Sequence, residues 1–289
     1  ENGISRDQCS ITVFFLCLLI LLMLRSPLVG RDIPNYQYMF RSFSKLSLSH
    51  AFSVSTEWGY VLLNKLISLF TDNFQWLMVI VAIISILPVA IVYRDETESA
   101  YLTIALFLTM SNFIMLFSGL RQSVAIATGM IAYRFVQKRK PVWFILCVAT
   151  AYLFHRSAIV LLLLYPVYHM RITKKKLFYL IPAIIIIFVF NRQIFNILLS
   201  LTSDMFSASD TMEKATGAYL MLALFVLFTL LAYIIPDENK LDDKTVGLRN
   251  VLLLCVLLQT FVQWHSLAMR VNYYFIIFIP LLVPRVINR

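Results

Sequence analysis

The sequence predicts an all-α, polytopic integral membrane protein: a helical bundle with about ten transmembrane or re-entrant helices. Hydrophobic residues make up 60% of the 289 positions, charged residues only 14%, and the mean hydropathy is +0.81. A soluble domain is about half apolar and about a quarter charged. Lys and Arg fall in short runs between apolar stretches, so the net charge of +10 is interpreted as a topology signal. No basic module with interleaved aromatic residues predicts binding of nucleic acid.

Ten apolar segments are candidates for crossing the membrane, within a single transmembrane domain over residues 1–289. They are 11–24, 74–93, 100–117, 122–136, 142–154, 157–170, 177–190, 217–235, 247–264 and 271–284. Several are shorter than the ~20 residues that a helix needs to cross about 30 Å of hydrocarbon, so we expect tilted, broken or re-entrant helices.

The basic runs fix the predicted orientation of the segment 142–169. Lys/Arg runs at 138–140 and 171–176 flank it, and the positive-inside rule places both runs in the cytoplasm. The chain between them must cross and return, which puts His155 and Arg156 at the apex of an outer hairpin. Each leg spans only roughly 20 Å, so we expect the apex below the outer interface, in a water-filled cavity.

Two further predicted hairpins also carry a cation at the outer turn. The first turns at 119–123 and holds Arg121, and the second turns at 265–270 and holds Arg270. Arginine binds phosphate oxygens with a planar, permanently charged fork. A charge at membrane depth costs roughly 2.5–3.5 kcal/mol and by default indicates function. We therefore expect a pyrophosphate site at the outer leaflet; snorkelling of single arginines to lipid headgroups is the alternative.

Because successive segments cross the membrane in opposite directions, two long loops are predicted on the outer side. Residues 25–72 form the first, with an interfacial or re-entrant helix at 57–70, and residues 191–216 form the second. The acidic stretches 94–99 and 236–244 fall on the inner side, where we expect solvated loops in preference to metal sites.

Five short segments, in their order and spacing, resemble a known family. They are "RSPLVGRD…NY" (25–36), "EWGYVLLN" (57–64), "GLRQSVAIA" (119–127), "FHRSAIV" (154–160) and "MRVNYYF" (269–275). Over about residues 11 to 280 the chain resembles the EpsG family of bacterial polysaccharide polymerases, akin to Wzy-type O-antigen polymerases. The resemblance implies a GT-C-like helical arrangement. It also leads us to expect that the sequence is truncated at both ends.

The resemblance implies a multi-pass glycosyltransferase of the bacterial cytoplasmic membrane with its active site facing the exterior. Such an enzyme joins oligosaccharide repeat units, carried on undecaprenyl pyrophosphate, into O-antigen or exopolysaccharide. The expected partners are the lipid-linked oligosaccharide, the lipid bilayer and a protein that regulates chain length.

This chemistry needs a base for the acceptor hydroxyl and positive charge for the departing pyrophosphate. Asp32 is the first candidate for the base, followed by Glu57 and His155. For Asp32, a turn residue that pairs with Arg31 or Arg41 is the alternative.

The remaining candidates bind the substrate. Arg121, Arg156, Arg270 and Arg25 are assigned to the pyrophosphate, and Tyr36, Gln122 and Tyr273 to the sugars. Aromatic belts at the membrane interface are the alternative for the tyrosines. We expect no cofactor and no metal ion, because the outer side shows no DxD motif and arginines can neutralise a pyrophosphate.

Two other functions stay open. A flippase or transporter of lipid-linked sugars predicts polar residues deep in several helices and internal two-fold symmetry, whereas this sequence concentrates its charges on one face. A membrane acyltransferase acting on the polysaccharide would use His155 as its general base.

Overall fold

The computed structural model describes residues 5–55, 57–110, 112–202, 217–264 and 266–288, and the regular structure of these residues is helical throughout. The all-α class is thereby confirmed. Contacts group the chain into two compact units, Glu1–Leu162 and Leu163–Arg289. The single transmembrane domain over residues 1–289 stays a prediction, as does the GT-C-like arrangement.

The first unit contains nine α-helices and most of a 3₁₀ helix among its described residues. They are α1 (Arg6–Leu24), α2 (Ile33–Lys45), α3 (Leu48–Val54), α4 (Trp58–Ser68), α5 (Phe74–Glu96), α6 (Ala100–Thr109), α7 (Asn112–Ser118), α8 (Leu120–Gln137), α9 (Pro141–Phe154) and the 3₁₀ helix Arg156–Leu163.

In the second unit, seven α-helices lie within the described residues. They are α10 (Leu164–His169), α11 (Lys174–Val189), α12 (Asn191–Thr202), α13 (Ala218–Ile234), α14 (Asp243–Gln259), α15 (Ser266–Ile276) and α16 (Ile279–Ile287). The predicted outer loop 191–216 thus begins as helix α12, and its residues 203–216 lie outside the described part.

Among the described helices, α1 and α5 are each long and apolar enough to cross a membrane, judged by length and composition. Three bent pairs, α6 with α7, α11 with α12 and α15 with α16, raise the number to at most five if each pair is one crossing. The α11–α12 pair bends by 73° and the α15–α16 pair by 46°. The expected broken helices are present, whereas ten crossings are not confirmed.

The predicted loop 25–72 is largely helical. Helix α2 begins with Pro34 in its first turn, where the missing N–H costs nothing. Its residues Ile33, Tyr36, Phe40 and Phe43 recur at helical spacing and are all buried. They share an apolar core with residues of α4, α5 and α8, so this segment packs on the helices that follow it.

Two glycines let this segment approach its neighbours closely. Gly30 has φ +120°, and a Cβ there would overlap the carbonyl oxygen of Phe117 at the end of α7. A Cβ on Gly59 would lie 3.1 Å from the main-chain carbon and oxygen of Leu153. The first turn of α4 therefore lies directly against the last turn of α9.

The chain breaks its helix at His155, as the sequence predicted. Helix α9 ends at Phe154, and His155 is extended, with φ −153° and ψ 119°. The returning leg differs from the expected helix over 157–170, because it is a 3₁₀ helix followed by the short α10. A 3₁₀ helix rises about 2 Å per residue, more than an α-helix.

In the second unit, α14 packs against α10, α13, α15 and α16. The guanidinium of Arg249 is almost fully buried, with its Cζ 3.9 Å from the centroid of the Tyr233 ring and Nη2 donating to the carbonyl of Ile172 at 2.8 Å. Asp242 begins α14 by accepting a hydrogen bond from the backbone N–H of Thr245. The predicted inner acidic stretch 236–244 thus takes part in capping and ion pairing.

Candidate functional site

A buried carboxylate gathers the predicted charged residues of the first unit. Glu57 immediately precedes α4 and is only 6% exposed. Its Oε1 lies 2.7 Å from Nδ1 of His155, at the end of α9, and its Oε2 forms an ion pair with Nη1 of Arg121, in the first turn of α8. A buried carboxylate requires such partners, because an uncompensated charge is strongly unfavourable away from water.

The partners of Glu57 keep its carboxylate ionised. Burial by itself raises the pKa of Glu57, but the hydrogen bond from His155 and the charge of Arg121 outweigh burial, so the pKa lies below its ordinary value. The backbone N–H of Arg156 also donates to this carboxylate. An ionised carboxylate can only accept, so the Nδ1 proton of His155 points to Glu57 and Nε2 is the ring nitrogen not engaged by this contact.

The guanidinium of Arg121 also contacts the rings of two tyrosines, Tyr36 and Tyr60. Its Cζ lies 5.4 Å from the ring centroid of Tyr36 and 5.8 Å from that of Tyr60. The two rings meet edge to face, with their centroids 5.7 Å apart. Such cation–π contacts stabilise a cation that is partly withdrawn from water. We call Glu57, Arg121, His155, Tyr36 and Tyr60 the Glu57 cluster.

Two arginine side chains beside Glu57, those of Arg121 and Arg156, are partly exposed. The Arg121 side chain is still 28% exposed, and its Nε has no hydrogen-bond partner among the described residues. Arg156 directly follows His155, and its Nε is likewise buried without a partner in that part of the chain. Nε atoms of Arg25, Arg249 and Arg285 are buried without a partner in the same way, so these atoms do not by themselves mark a ligand site.

Asp32 lies at the edge of the cluster. It precedes α2, and its charge acts on the hydroxyl of Tyr36, one turn further along the helix. The carboxylate of Asp32 makes no capping hydrogen bond to the first turn of α2. Whether Asp32 is a base or a turn residue that pairs with Arg31 or Arg41 stays a prediction.

Four predicted site residues remain, namely Arg25, Gln122, Arg270 and Tyr273. Arg25 is buried, and its Nη1 donates to the carbonyls of Phe117 at 2.9 Å and Leu116 at 3.3 Å, so it caps the end of α7. Gln122 is buried in α8. Arg270 and Tyr273 belong to α15 in the second unit. The binding roles of these four residues stay predictions.

Among the described residues, no three His, Cys, Asp or Glu side chains come together as a metal site. The Glu57 carboxylate has Arg121 as its ion-pair partner, and a guanidinium repels a metal cation. Within the cluster the carboxylate of Glu57 and the guanidinium of Arg121 balance each other in charge, so binding of an anion there stays a prediction. Catalysis without a metal ion or cofactor stays a prediction.

Tyr60 and Asn64 were not predicted as site residues, although both are fully buried behind Arg121 and Glu57. Asn64 donates from Nδ2 to the carbonyl oxygen of Tyr60 at 2.7 Å. The sequence could have indicated them, because Tyr60 and Asn64 follow Glu57 by three and seven residues. This spacing places all three on one side of a helix.

Comparison with known proteins agrees with the resemblance in the sequence. The family model described as "EpsG family" matches residues 9–289. No curated protein and no solved structure matches the chain. The match and the apolar helices indicate a membrane protein of polysaccharide biosynthesis, and the chain belongs to the EpsG family.

Proposed function

We propose that the protein is a membrane glycosyltransferase that polymerises oligosaccharide repeat units carried on undecaprenyl pyrophosphate. The product is O-antigen or exopolysaccharide, made at the outer face of the cytoplasmic membrane. The observation that carries this proposal is the contact of one buried carboxylate, Glu57, with both a histidine and an arginine. This arrangement combines an oriented base with positive charge, and family membership supports the reaction class.

In the reaction, the oxygen of an acceptor hydroxyl forms a bond to the anomeric carbon of the donor. The bond from that carbon to the pyrophosphate oxygen breaks, and undecaprenyl pyrophosphate leaves with the bonding electrons. Negative charge therefore develops on the leaving oxygen. The partly exposed guanidinium groups of Arg121 and Arg156 stabilise this charge, so these residues bind the donor's pyrophosphate without a metal ion.

The acceptor hydroxyl must lose its proton as the new bond forms. His155 Nε2 takes this proton, and the ionised Glu57 orients the ring and stabilises the imidazolium that results. Glu57 itself is a poor base, because its hydrogen bonds and charged partners favour the carboxylate form. Asp32 is the second candidate for the base.

The positions of the helix ends support an outer location. Helix α8 begins beside Arg121 and ends directly before the basic run 138–140, and α9 runs back to His155. These helices pack side by side, so the cluster and the basic run lie at opposite ends of the hairpin, roughly 20–27 Å apart. By the positive-inside rule the run is cytoplasmic, and the cluster then faces the exterior.

The proposal is tested by replacing Arg121 in cells that make the polysaccharide. We expect Arg121→Ala to abolish long-chain glycan while single repeat units persist on the lipid carrier. Arg134→Ala is the matched control, because Arg134 lies in the last turn of the same helix and pairs with Asp95 at the hairpin's other end. Normal chain length in Arg121→Ala cells would overturn the proposal, and repeat units trapped facing the cytoplasm would establish a flippase instead.

The Glu57–His155 contact also favours a second candidate function. A membrane acyltransferase that modifies the same polysaccharide would use an oriented histidine as the base for a sugar hydroxyl. His155→Gln separates the two functions. Loss of acetyl groups with normal chain length establishes the acyltransferase, whereas loss of chain length with normal acetylation supports the polymerase.

A further inference from the structure

A short segment between α1 and α2 holds the end of helix α7. The last carbonyls of a helix have no partner within it, and Nη1 of Arg25 donates to two of them, those of Leu116 and Phe117, at 3.3 and 2.9 Å. The Cζ atom of Arg25 also lies 5.4 Å from the centroid of the Phe117 ring. A positive charge is favourable here, because the helix dipole is negative at this end. Arg25 therefore binds the end of α7 through both hydrogen bonds and charge.

The same segment makes two further contacts with the chain that follows α7. Gly30 has φ +120°, and a Cβ there would overlap the carbonyl oxygen of Phe117. The backbone N–H of Arg31 donates to Oγ of Ser118 at 3.1 Å. All these contacts fall on consecutive residues before α8. We call Arg25, Gly30 and Arg31 the 25–31 clamp, and residues 116–119 the α7–α8 corner.

The clamp itself is anchored to two long helices. Arg25 directly follows α1, and Gln75 lies in the first turn of α5. Nε2 of Gln75 donates to the carbonyls of Arg25 at 3.3 Å and of Met23 at 2.5 Å. Helices α1 and α5 pack against each other, so moving the clamp means separating the end of α1 from α5. The clamp is therefore a firm support.

Helix α7 depends on such a support, because it has little apolar packing of its own. Of its seven residues, only Asn112 is buried. A helix this short is marginal by itself, and most helices in proteins are stabilised by burying an apolar face. The polar contacts of the 25–31 clamp are therefore a main determinant of where α7 lies.

The α7–α8 corner passes the position of α7 on to Arg121. Gly119 alone separates α7 from α8, and Arg121 is the second residue of α8. The backbone N–H of Gly119 donates to the carbonyl of Met115 at 2.9 Å, and that of Ser123 donates to the carbonyl of Gly119 at 2.8 Å. Because the corner is hydrogen-bonded to both helices, a shift of its main chain also shifts the first turn of α8. That turn carries the guanidinium that pairs with Glu57.

We propose that Arg25 is a positioning residue for Arg121, acting through the α7–α8 corner. Arg25 is buried and its Nη1 is engaged by two main-chain carbonyls, so it supports the residue that binds the substrate and does not itself contact the pyrophosphate. This inference rests on the proposed function, since that function assigns Arg121 to the pyrophosphate. It goes further by giving the 25–31 clamp a part in the reaction.

The test measures kcat and KM for chain extension by the purified full chain on lipid-linked repeat units. In Arg25→Met, which removes the donors to the corner, we expect kcat to fall about tenfold and KM to change by less than about twofold, because a displaced Arg121 stabilises the departing pyrophosphate less well. Arg25→Lys should recover most of the lost rate, since an ammonium group also donates to carbonyls. An unchanged kcat in Arg25→Met, or a rise in KM of about tenfold or more, overturns the inference.

A second variant reaches the same corner without removing a charge. Ser118→Ala deletes the acceptor of the Arg31 N–H, and we expect it to lower kcat about threefold. The double variant Arg25→Met/Ser118→Ala should lose less than the product of the two single losses, because both changes act through one corner. A full product contradicts this route. Should Arg25→Met fail to fold, Ser118→Ala decides alone, and an unchanged kcat in it overturns the inference.

Arg249→Met is the matched control for the loss of a buried arginine. Arg249 is also buried, and its Nη2 donates to the carbonyl of Ile172 at 2.8 Å in the second unit. Its replacement should lower thermal stability but leave kcat within about twofold of the wild type. Equal falls of kcat in Arg249→Met and Arg25→Met would indicate general destabilisation and overturn the inference.

A different result overturns the proposed function. If Arg121→Ala extends chains normally, the proposed function fails. If Arg121→Ala is inactive while Arg25→Met and Ser118→Ala are fully active, the proposed function stands and only the positioning role of Arg25 fails.

Discussion

Oε1 of Glu57 lies 2.7 Å from Nδ1 of His155, although the two residues are 98 positions apart in the chain. The contact exists because Gly59 lets the first turn of α4 touch the last turn of α9. It gives the histidine one defined orientation, with the carboxylate on Nδ1. An oriented histidine beside an arginine is the basis of the predictions that follow.

The first prediction separates the two candidates for the general base. His155→Gln should lower the polymerisation rate by about 10²- to 10⁴-fold, because it removes the basic nitrogen while keeping a side chain that can hydrogen-bond. Asp32→Asn should lower the rate by less than about tenfold. The measurement is the rate of chain extension by purified protein on lipid-linked repeat units.

Asp32→Asn serves as the matched variant, because it removes one carboxylate at the edge of the Glu57 cluster without breaking any ion pair of the described residues. If Asp32→Asn lowers the polymerisation rate more than His155→Gln does, the base is Asp32. If both variants lose most of the rate while their affinity for the substrate is unchanged, a single base is contradicted.

The second prediction concerns stability at acidic pH. The pKa of Glu57 is lower in the folded protein than its ordinary value of 4.5. Its contribution to stability is therefore fully present above the unfolded pKa and is lost as the pH falls through the folded pKa. Wild-type thermal stability should decline below about pH 4.5, and Glu57→Gln should decline less over that range.

At neutral pH, Glu57→Gln should be less stable than the wild type by roughly 2–3 kcal/mol. The variant leaves Arg121 without its carboxylate. The loss of stability is smaller than for a fully buried ion pair, because Arg121 and His155 are partly exposed. Asp72→Asn is the control, since Asp72 is exposed and has no ion pair among the described residues. Identical acid profiles of the wild type and Glu57→Gln would contradict the role of Glu57.

The third prediction tests the close contact of α4 with α9. Gly59→Ala should move α4 away from Leu153 by a few tenths of an ångström, because the main chain of a helix cannot yield locally. The Glu57–His155 contact then lengthens, and we expect the polymerisation rate to fall about tenfold or more. Gly129→Ala is the control: its Cβ would meet only the side-chain end of Leu161. Equal rates in the two variants contradict the prediction.

The fourth prediction concerns the loop that precedes Asp32. Gly30→Ala should lower the free energy of unfolding by about 2 kcal/mol or more, because the new Cβ would overlap the Phe117 carbonyl at a backbone angle that already favours glycine. Gly217 also has a positive φ, but a Cβ there would meet no atom within 4 Å. Gly217→Ala should therefore lower the free energy of unfolding by only about 1 kcal/mol. Thermal unfolding of both variants measures the difference, and equal costs disprove the overlap.

Several features followed from the sequence because they depend on local patterns. Apolar runs bounded by Lys and Arg predicted the all-α membrane class and placed breaks near 119–123 and at 155–156, where α8 begins and α9 ends. The short 157–170 segment was expected to be one helix and is a 3₁₀ helix followed by α10. Composition alone does not distinguish these two helix types, because the same apolar residues are compatible with either.

The sequence by itself determined that Glu57, Arg121 and His155 are charged or titratable groups in an apolar chain, and that such groups are retained for a reason. Only the tertiary structure decided that Glu57 is the shared partner of the other two and that Arg25 caps the end of α7. The physical reason is that ion pairing depends on distances of a few ångströms between segments far apart in the chain. Those distances are set by helix packing at Gly30 and Gly59, which local patterns do not encode.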